Sequence, residues 1–248
     1  MEPTVIYEDN EIVVVDKPVG MPVHEDGGEE VPTVVDWLLS LAPEARGVGE
    51  PQTANDGTPL ERSGVVHRLD RDTSGVLLLC KTQAAYDYYK QQFHDRLVKK
   101  EYRALVYGHM NERWGSIDRP IGRSAKDWRR RSAERGAKGA LREAVTDWEL
   151  IGQGEHGSEP YAYLKLKPKT GRTHQLRVHL KAIDRPIVGD VLYAGAKREQ
   201  ANNLGLTRLA LHAHQLEVPL AAGDSQRFIA PIPPALEEAI DRLHETDE

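Results

Sequence analysis

Apolar residues follow two periods along the chain, and each period predicts a type of secondary structure. Unbroken or alternating apolar stretches predict strands, and residues 75–80, GVLLLC, are typical of a buried strand. The predicted strands are two within residues 5–18, then 75–81, 98–108, 115–121, 144–151, 161–171 and 207–218. Apolar residues at helical spacing predict four helices, at residues 33–42, 83–97, 173–183 and 233–243. Thr173 is the expected N-cap of the third helix.

Several predicted strands follow one another with no helix between them. This order favours an α+β fold, with a mixed, largely antiparallel central sheet and flanking helices and loops, over a doubly wound parallel sheet. No linker rich in Pro, Gly or Ser divides the chain, so residues 1–248 are expected to form one domain. Residues 43–62 are predicted to be a mobile surface loop.

The composition narrows the class of protein. The 248 residues are 39% apolar and 29% charged, which is typical of a soluble globular chain. The sequence has no apolar run of about 18 residues, and its first residues do not resemble a signal peptide. We therefore expect a cytoplasmic protein without a membrane span. Cys80, the only cysteine, excludes an intrachain disulfide and is predicted to be a small buried residue.

The net charge of −6 conceals an asymmetry along the chain. Residues 1–62 carry a net charge of −11, residues 63–214 one of +11 and residues 215–248 one of −6. A basic middle can attract phosphates although the whole chain is acidic. Ordinary scatter of surface charge is the alternative interpretation.

Charged residues crowd at the start of the predicted strand 75–81. Residues 67–75 read HRLDRDTSG, in which Arg68 and Arg71 lie close to Asp70 along the chain. Positive neighbours favour a charged carboxylate. A carboxylate at the start of a rigid strand is well placed to act as a nucleophile, a base or an electrostatic stabiliser. The alternative is that Asp70 caps a turn and that the arginines are surface charges.

HRLDRDTSG resembles the signature of the RluA-type pseudouridine synthases, which is HRLD, two variable residues and TSG. Further blocks resemble those of the family and occur in the family's order. They are YEDNEIVVVDKPVGMPVH (7–24), KKEYRALVYG (99–108), KTGRTHQLRVHL (169–180), RPIVGDVLYA (185–194), RLALHAHQLEV (208–218) and FIAPIPPAL (228–236). Because these blocks span nearly the whole chain, the chain is identified as a member of this family.

The resemblance implies a fold and an activity. It implies the pseudouridine synthase fold, with two lobes around a basic cleft, in a single catalytic domain without the S4-type RNA-binding domain of many members. It implies isomerisation of specific uridines in rRNA, tRNA or both to pseudouridine. The isomerisation involves no redox change and loses no group, so no cofactor is expected. A monomer is the default expectation.

The resemblance also implies roles for individual residues. Asp70 corresponds to the catalytic aspartate, Tyr102 to a residue that stacks on the target uracil, and Arg177 to a partner that holds Asp70. Leu176 would pack against the base. Four further residues are expected around the RNA backbone or in support of the site: Arg68, Arg172, His174 and Gln175.

Residues 119–142, which we call the basic segment, hold nine bases against two acids, with Trp128 among them. The bases are Arg119, Arg123, Lys126, Arg129, Arg130, Arg131, Arg135, Lys138 and Arg142. A chain that binds a polyanion shows such clustering. With the resemblance, we predict that this segment is a mobile excursion that grips RNA; a solvated charged hairpin is the alternative.

Other chemistries are less well supported. His174 and His179 are five positions apart, not the three or four that bring two helical ligands onto one face, and HExxH is absent. No metal site is therefore predicted, and core histidines are expected instead. A hydrolase built on Ser74, His67 and Asp70 would lack GxSxG. A non-catalytic RNA-binding protein is the remaining alternative, although it would not need Asp70, Tyr102 and Arg177 together.

Overall fold

The computed structural model describes residues 1–25, 31–53, 57, 59–127, 129–134, 137–195, 203–220 and 223–243. The chain divides into two compact units. The first comprises Met1–Lys100 and Ala213–Pro231, and the second comprises Glu101–His212 and Ile232–Glu248. A single domain over residues 1–248, with a basic cleft, stays a prediction.

The first unit combines a mainly buried sheet with two helices. Its elements are β1 (Thr4–Glu8), β2 (Ile12–Lys17), α1 (Val34–Leu41), β3 (Gln52–Thr53), β4 (Pro59–Leu60), β5 (Ser74–Cys80), α2 (Gln83–His94), most of β13 (Leu211–Pro219) and β14 (Ser225–Ile229). The strand order is β1-β2-β5-β13, β14 pairs with β13, and β3 and β4 pair with each other.

Strand β5 lies in the core of the first unit, and all seven of its residues are buried. Its side chains pack against Tyr86 and Tyr89 of α2. Gly75 has φ +115°, and a Cβ atom there would lie 2.2 Å from the carbonyl oxygen of Ala213 in β13. Only glycine therefore allows the two backbones to approach this closely.

In its described residues, the second unit contains an antiparallel sheet, a small sheet, two α-helices and a short 3-10 helix, Asn203–Gly205. Its elements are most of β6 (Lys99–Tyr107), then β7 (Trp114–Asp118), β8 (Ile121–Arg123), β9 (Arg131–Ser132), β10 (Lys138–Arg142), β11 (Val145–His156), β12 (Glu159–Pro168), α3 (Gln175–Ala182) and α4 (Pro234–Asp241). The larger sheet has the order β6-β12-β11-β7 with antiparallel neighbours, and the small sheet has the order β10-β8-β9. Leu180 of α3 and Leu236 of α4 belong to a single core cluster with Leu105 and Leu164 of the larger sheet.

The predicted α+β class with a mixed, largely antiparallel sheet is confirmed, and so are four helices. Helix α1 begins with a capping box, in which Thr33 and Asp36 hydrogen-bond to each other's backbone N–H groups. Helix α2 ends three residues before the predicted limit of residue 97, because Arg96 adopts a left-handed conformation with φ 61°.

Cys80 is fully buried, as predicted. Burial, and to a smaller extent the Glu11 charge, raises the pKa of its thiol to about 12.

Other sequence predictions differ from the structure. Thr173 does not cap α3, since the N-cap is His174, with φ 56° and no capping bond from its side chain. Residues 43–62 contain a short 3-10 helix, Pro43–Ala45, and the β3–β4 pair rather than loop alone. Trp128 and Arg135 of the basic segment lie outside the described residues. Within the described part of the chain, no helix is both long and apolar enough to cross a membrane.

Candidate active site

Asp70 lies on a turn that leads directly into β5. Its carbonyl oxygen accepts a hydrogen bond from the Thr73 N–H at 3.1 Å, which closes a turn over residues 70–73. Asp70 is partly buried, Leu69 before it is buried, and Arg68 and Arg71 are exposed. The carboxylate is therefore presented by a short turn whose end continues into the core strand.

The chain before this turn is fastened to β5. The Cys80 N–H donates to the Gly64 carbonyl at 2.9 Å, and the Leu78 N–H donates to Nε2 of His67, also at 2.9 Å. The His67 ring stacks on Phe93 of α2, with ring centroids 4.5 Å apart. Burial, and then the Lys100 charge, lowers the pKa of His67 to about 3.

This arrangement argues against the hydrolase alternative. An imidazole whose Nε2 accepts a backbone N–H, and whose pKa is about 3, is a poor general base near neutral pH. His67 instead holds the start of the motif against the strand.

A buried lysine holds the other side of the Asp70 turn. The Lys17 side chain, at the end of β2, is fully buried, and its ammonium donates to the carbonyls of Pro18 (2.8 Å), Met21 (2.8 Å) and Arg71 (3.0 Å). The Gly20 N–H also donates to the Arg71 carbonyl, and Arg71 Nε donates to the Gly20 carbonyl. Three carbonyl acceptors satisfy the donors of the buried ammonium, as burial of a charge requires.

The second unit contains the remaining predicted residues. Tyr102 of β6 lies opposite Leu166 of β12 and packs, partly buried, against the core cluster that also contains Leu176. The structure therefore brings the predicted stacking residue and the predicted packing residue into one cluster.

Arg177 is held rigidly at the start of α3. Its Nε and Nη2 donate to the two carboxylate oxygens of Asp190 at 2.7 and 2.8 Å, and both side chains are buried. Oδ1 of Asp190 also accepts the N–H groups of Leu192 and Tyr193, each at 3.1 Å. The Arg177 guanidinium carbon lies 5.1 Å from the centroid of the Tyr193 ring, within cation–π range.

Tyr193 joins three parts of the second unit. Its hydroxyl oxygen accepts the N–H of Arg131, in the basic segment, at 2.9 Å. The same oxygen lies 2.9 Å from Nδ1 of His174, the strained N-cap residue of α3. The placement of the basic segment and of α3 is thus linked through one buried phenol.

Gln175 and Arg172 make scaffold contacts. Gln175 is buried; its Oε1 accepts from the Thr170 hydroxyl and the Arg172 N–H, and its Nε2 donates to the Val145 carbonyl and the Thr146 hydroxyl. Nε of Arg172 donates to the Glu143 carbonyl at 3.0 Å. These bonds tie the start of α3 and the chain just before it to the start of β11 and to Glu143, two residues before β11.

Comparison with known proteins decides the family. Residues 11–182 match the model of a family described as RNA pseudouridylate synthase. The chain belongs to this family. It is 36% identical over 238 residues to an RNA pseudouridine synthase of Synechocystis sp., a match that covers 95% of this chain and 67% of the relative. It is 34% identical over 245 residues to ribosomal large subunit pseudouridine synthase D of Borreliella burgdorferi, covering 98% and 69%.

A solved structure supports the same assignment. Human RNA pseudouridylate synthase domain containing 1 superposes with a TM-score of 0.74 at 27% identity, covering 96% of this chain and 87% of the human one. The predicted membership of the RluA family is confirmed, and this chain is an RNA pseudouridine synthase, which is an isomerase.

The basic segment of the synthase forms the small sheet β10-β8-β9. All five residues of β10 are exposed. Asp127 accepts from Arg129 at 2.9 and 3.1 Å and lies 3.3 Å from Nε of Arg130. The hydrogen bonds from Arg129 lower the pKa of the Asp127 carboxyl to about 2, so one acid partly offsets two arginines.

The histidines of the synthase have structural partners, as predicted. His179 is buried, with Nδ1 2.9 Å from the Thr146 hydroxyl and Nε2 2.9 Å from the Arg119 carbonyl, and burial lowers its pKa. Nδ1 of His214 lies 2.9 Å from the Ala230 carbonyl. Among the described residues, no group of three or more His, Cys, Asp or Glu side chains is arranged to hold a metal ion.

The sequence did not reveal the supporting residues of the synthase. Lys17 and Asp190 lie in quoted family blocks, but no role was predicted for them. The available sequence signals are a lysine that follows an apolar stretch and precedes Pro-Val-Gly, and an acid 13 positions after Arg177. Asp70 and Arg68 belong to the first unit and the other predicted site residues to the second, so the pairing of Asp70 with Arg177 stays a prediction.

Proposed function

We propose that this synthase isomerises a uridine of large-subunit ribosomal RNA and that Asp70 is its catalytic carboxylate. The observation that carries the choice of RNA is similarity over nearly the whole chain to ribosomal large subunit pseudouridine synthases D. The relative from Xanthomonas campestris pv. campestris is 36% identical over 250 residues, covering 97% of this chain and 69% of the relative.

The reaction needs few chemical groups. The bond between the sugar and N1 of uracil breaks, the base turns, and a bond from the sugar to carbon 5 replaces it; carbon 5 then loses its proton and N1 gains one. Because no electrons or atoms are exchanged with another reactant, a carboxylate, a proton acceptor and a pocket for the free base are sufficient. The proposed mechanism therefore uses no cofactor.

Asp70 supplies the carboxylate, as nucleophile or base, in this proposal. Support comes from its position on a short turn held by Lys17 on one side and continuing into β5 on the other. A group presented from a rigid element is precise enough for catalysis. Asp72, on the same turn but exposed, provides a matched carboxylate for comparison.

Tyr102 holds the detached base in this proposal. Stacking of a base on an aromatic ring is worth about 1–3 kcal/mol, which helps retain uracil between bond breakage and bond formation. The base must first leave its helical stack, at a cost of a few kcal/mol, so an unpaired uridine is the expected target. Arg177, fixed by Asp190 and Tyr193, would offer a guanidinium already ordered for its predicted partner Asp70.

The basic segment is the proposed grip on the RNA backbone. Its support is the density of Arg and Lys together with the exposure of every residue of β10. Positive side chains that meet phosphates release counterions, which makes binding depend strongly on salt.

The test is conversion of RNA without any added cofactor and with a chelator present. Large-subunit rRNA and tRNA transcripts are incubated with the protein, and pseudouridine is mapped by chemical derivatisation and primer extension. We expect conversion in the rRNA, loss of conversion in Asp70→Asn, and near-normal conversion in Asp72→Asn. Turnover by Asp70→Asn would contradict the assignment of Asp70, and conversion of tRNA alone would contradict the choice of RNA.

A further inference from the structure

A cleft of about 730 Å³ lies at the β7 edge of the larger sheet in the second unit. Trp114, the first residue of the edge strand β7, lines it and is 76% exposed. An exposed indole beside an open cleft is unusual for a structural tryptophan, because the ring buries little apolar surface there.

The side chains around Trp114 form two rows across neighbouring strands. Trp114 lies opposite Glu149, which lies opposite Lys165. In the next row, Ser116 lies opposite Asp147, which lies opposite Lys167. Side chains in one row stand about 5 Å apart, so an aromatic face, carboxylates and ammonium groups line the same cleft.

These rows are separate from the predicted catalytic residues of the same unit. Tyr102 lies opposite Leu166 and shares its face of the sheet. Lys165 and Lys167 flank Leu166 in β12 and therefore point to the other face. The side chains of the two rows thus belong to the face of the sheet that Tyr102 does not use.

The charges of the cleft suit one kind of ligand. Lys165 pairs with Glu149 at 2.9 Å, and the hydrogen bond from Lys165 lowers the pKa of Glu149, so the carboxylate is charged near neutral pH. Arg113, Lys165 and Lys167 outnumber the two acids in the lining. A nucleotide matches this set, since its base stacks on an indole, its amino and ribose hydroxyl groups donate to carboxylates, and its phosphate meets an ammonium.

We propose that this cleft binds an unpaired nucleotide of the RNA substrate, at a point on the RNA other than the modified uridine. The proposal rests on RNA as the substrate and is independent of the role of Asp70. It assigns base stacking to Trp114 and a phosphate contact to Lys167, the exposed lysine of the second row. A second contact of this kind gives a synthase a way to select RNA by the spacing between two unpaired nucleotides.

The test measures RNA binding rather than turnover. A short fluorescein-labelled single-stranded RNA and the duplex made from it are titrated by anisotropy with the full chain carrying Asp70→Asn. Adding Trp114→Ala should weaken single-strand binding roughly 5- to 150-fold, the range expected for one stacked base. Trp114→Phe should retain most of the affinity, and Leu41→Ala, which removes an exposed apolar side chain from α1, should change nothing.

Two further readouts make the result decisive. Lys167→Gln should lower the slope of log affinity against log salt concentration by about 0.7, as expected for one phosphate contact to a single strand. The quenching of tryptophan fluorescence by RNA should shrink in Trp114→Phe. Equal affinities for Trp114→Ala and Leu41→Ala, or an equal loss on single strand and duplex, would overturn the proposal. Failure of the Asp70 assignment would appear only in the conversion assay.

Discussion

Replacement of Lys17 by methionine should both destabilise the chain and disable the Asp70 turn. Methionine has nearly the volume of the lysine side chain, so no large cavity forms. The carbonyls of Pro18 and Met21 lose the donor described for them, whereas the Arg71 carbonyl keeps the Gly20 N–H. Each buried acceptor left without a donor costs about 1–3 kcal/mol, so the free energy of unfolding should fall by about 2–6 kcal/mol.

Activity should fall further than stability alone explains. A shift of a catalytic group by about 1 Å can reduce the rate about 100-fold. Lys17 is bonded to the turn that carries Asp70, the proposed catalytic residue. Urea unfolding and rRNA conversion under fully folded conditions measure the two effects separately. Lys81→Met is the matched control. Lys81 is also buried and pairs with Glu8, but it lies just after β5, at the end of the strand opposite to the Asp70 turn. Wild-type stability and rate in Lys17→Met, or equal rate losses in the two variants, would refute the reasoning.

Three further predictions concern the pH response, the buried ion pair and the grip on RNA. Because the folded chain holds the pKa of His67 near 3, the unfolded chain binds one more proton than the folded chain between about pH 6.5 and 3. As the pH falls through this range, the free energy of unfolding should decrease by about 1.4 kcal/mol per pH unit more in the wild type than in His67→Gln. Parallel curves of unfolding free energy against pH, measured with urea, would contradict this prediction. Asp190→Leu should lower the free energy of unfolding by about 3–5 kcal/mol, because it leaves the Arg177 charge buried without its carboxylate. The double variant with Arg177→Met should regain most of the stability but no RNA conversion. A double variant as unstable as the single one would be evidence against this account. Replacement of the three arginines at 129–131 by glutamate should weaken RNA binding. It should also reduce the slope of log affinity against log salt concentration by up to about 2 to 3. An unchanged slope in a filter-binding assay would exclude these residues as phosphate contacts.

The sequence predicted the elements whose side chains face a core. Strand β5 and helix α1 have apolar patterns because burial imposes them, and both lie within a residue or two of their predicted limits. Strand β10 has no such pattern, since all five of its residues are exposed. The sequence also predicts no strand at β14, because only one of its five residues, Phe228, is buried and the segment has no detectable period.

Local sequence motifs identify the candidate site residues, but they do not identify the residues that hold those side chains in place. Asp70 could be named because its chemistry and its motif lie within nine consecutive residues. The bond from Lys17 to the Arg71 carbonyl joins residues 54 apart in the sequence, and that separation carries no periodic signal. The Tyr193 contact with Arg131 joins residues 62 apart for the same reason. Such contacts depend on how strands are ordered, which a pattern along one segment does not contain.

The glycine of the HRLDRDTSG motif has a consequence for the recognition of inactive relatives. Gly75 is required by the backbone of a neighbouring strand, not by uridine chemistry, so its loss would break the sheet whether or not the protein still modifies RNA. A duplicated gene copy that has abandoned catalysis would still need this glycine in order to fold. If Asp70 has the proposed catalytic role, this motif position, five residues before Gly75, would be released from selection in such a copy. A search that scores the whole motif would still count the copy as an enzyme.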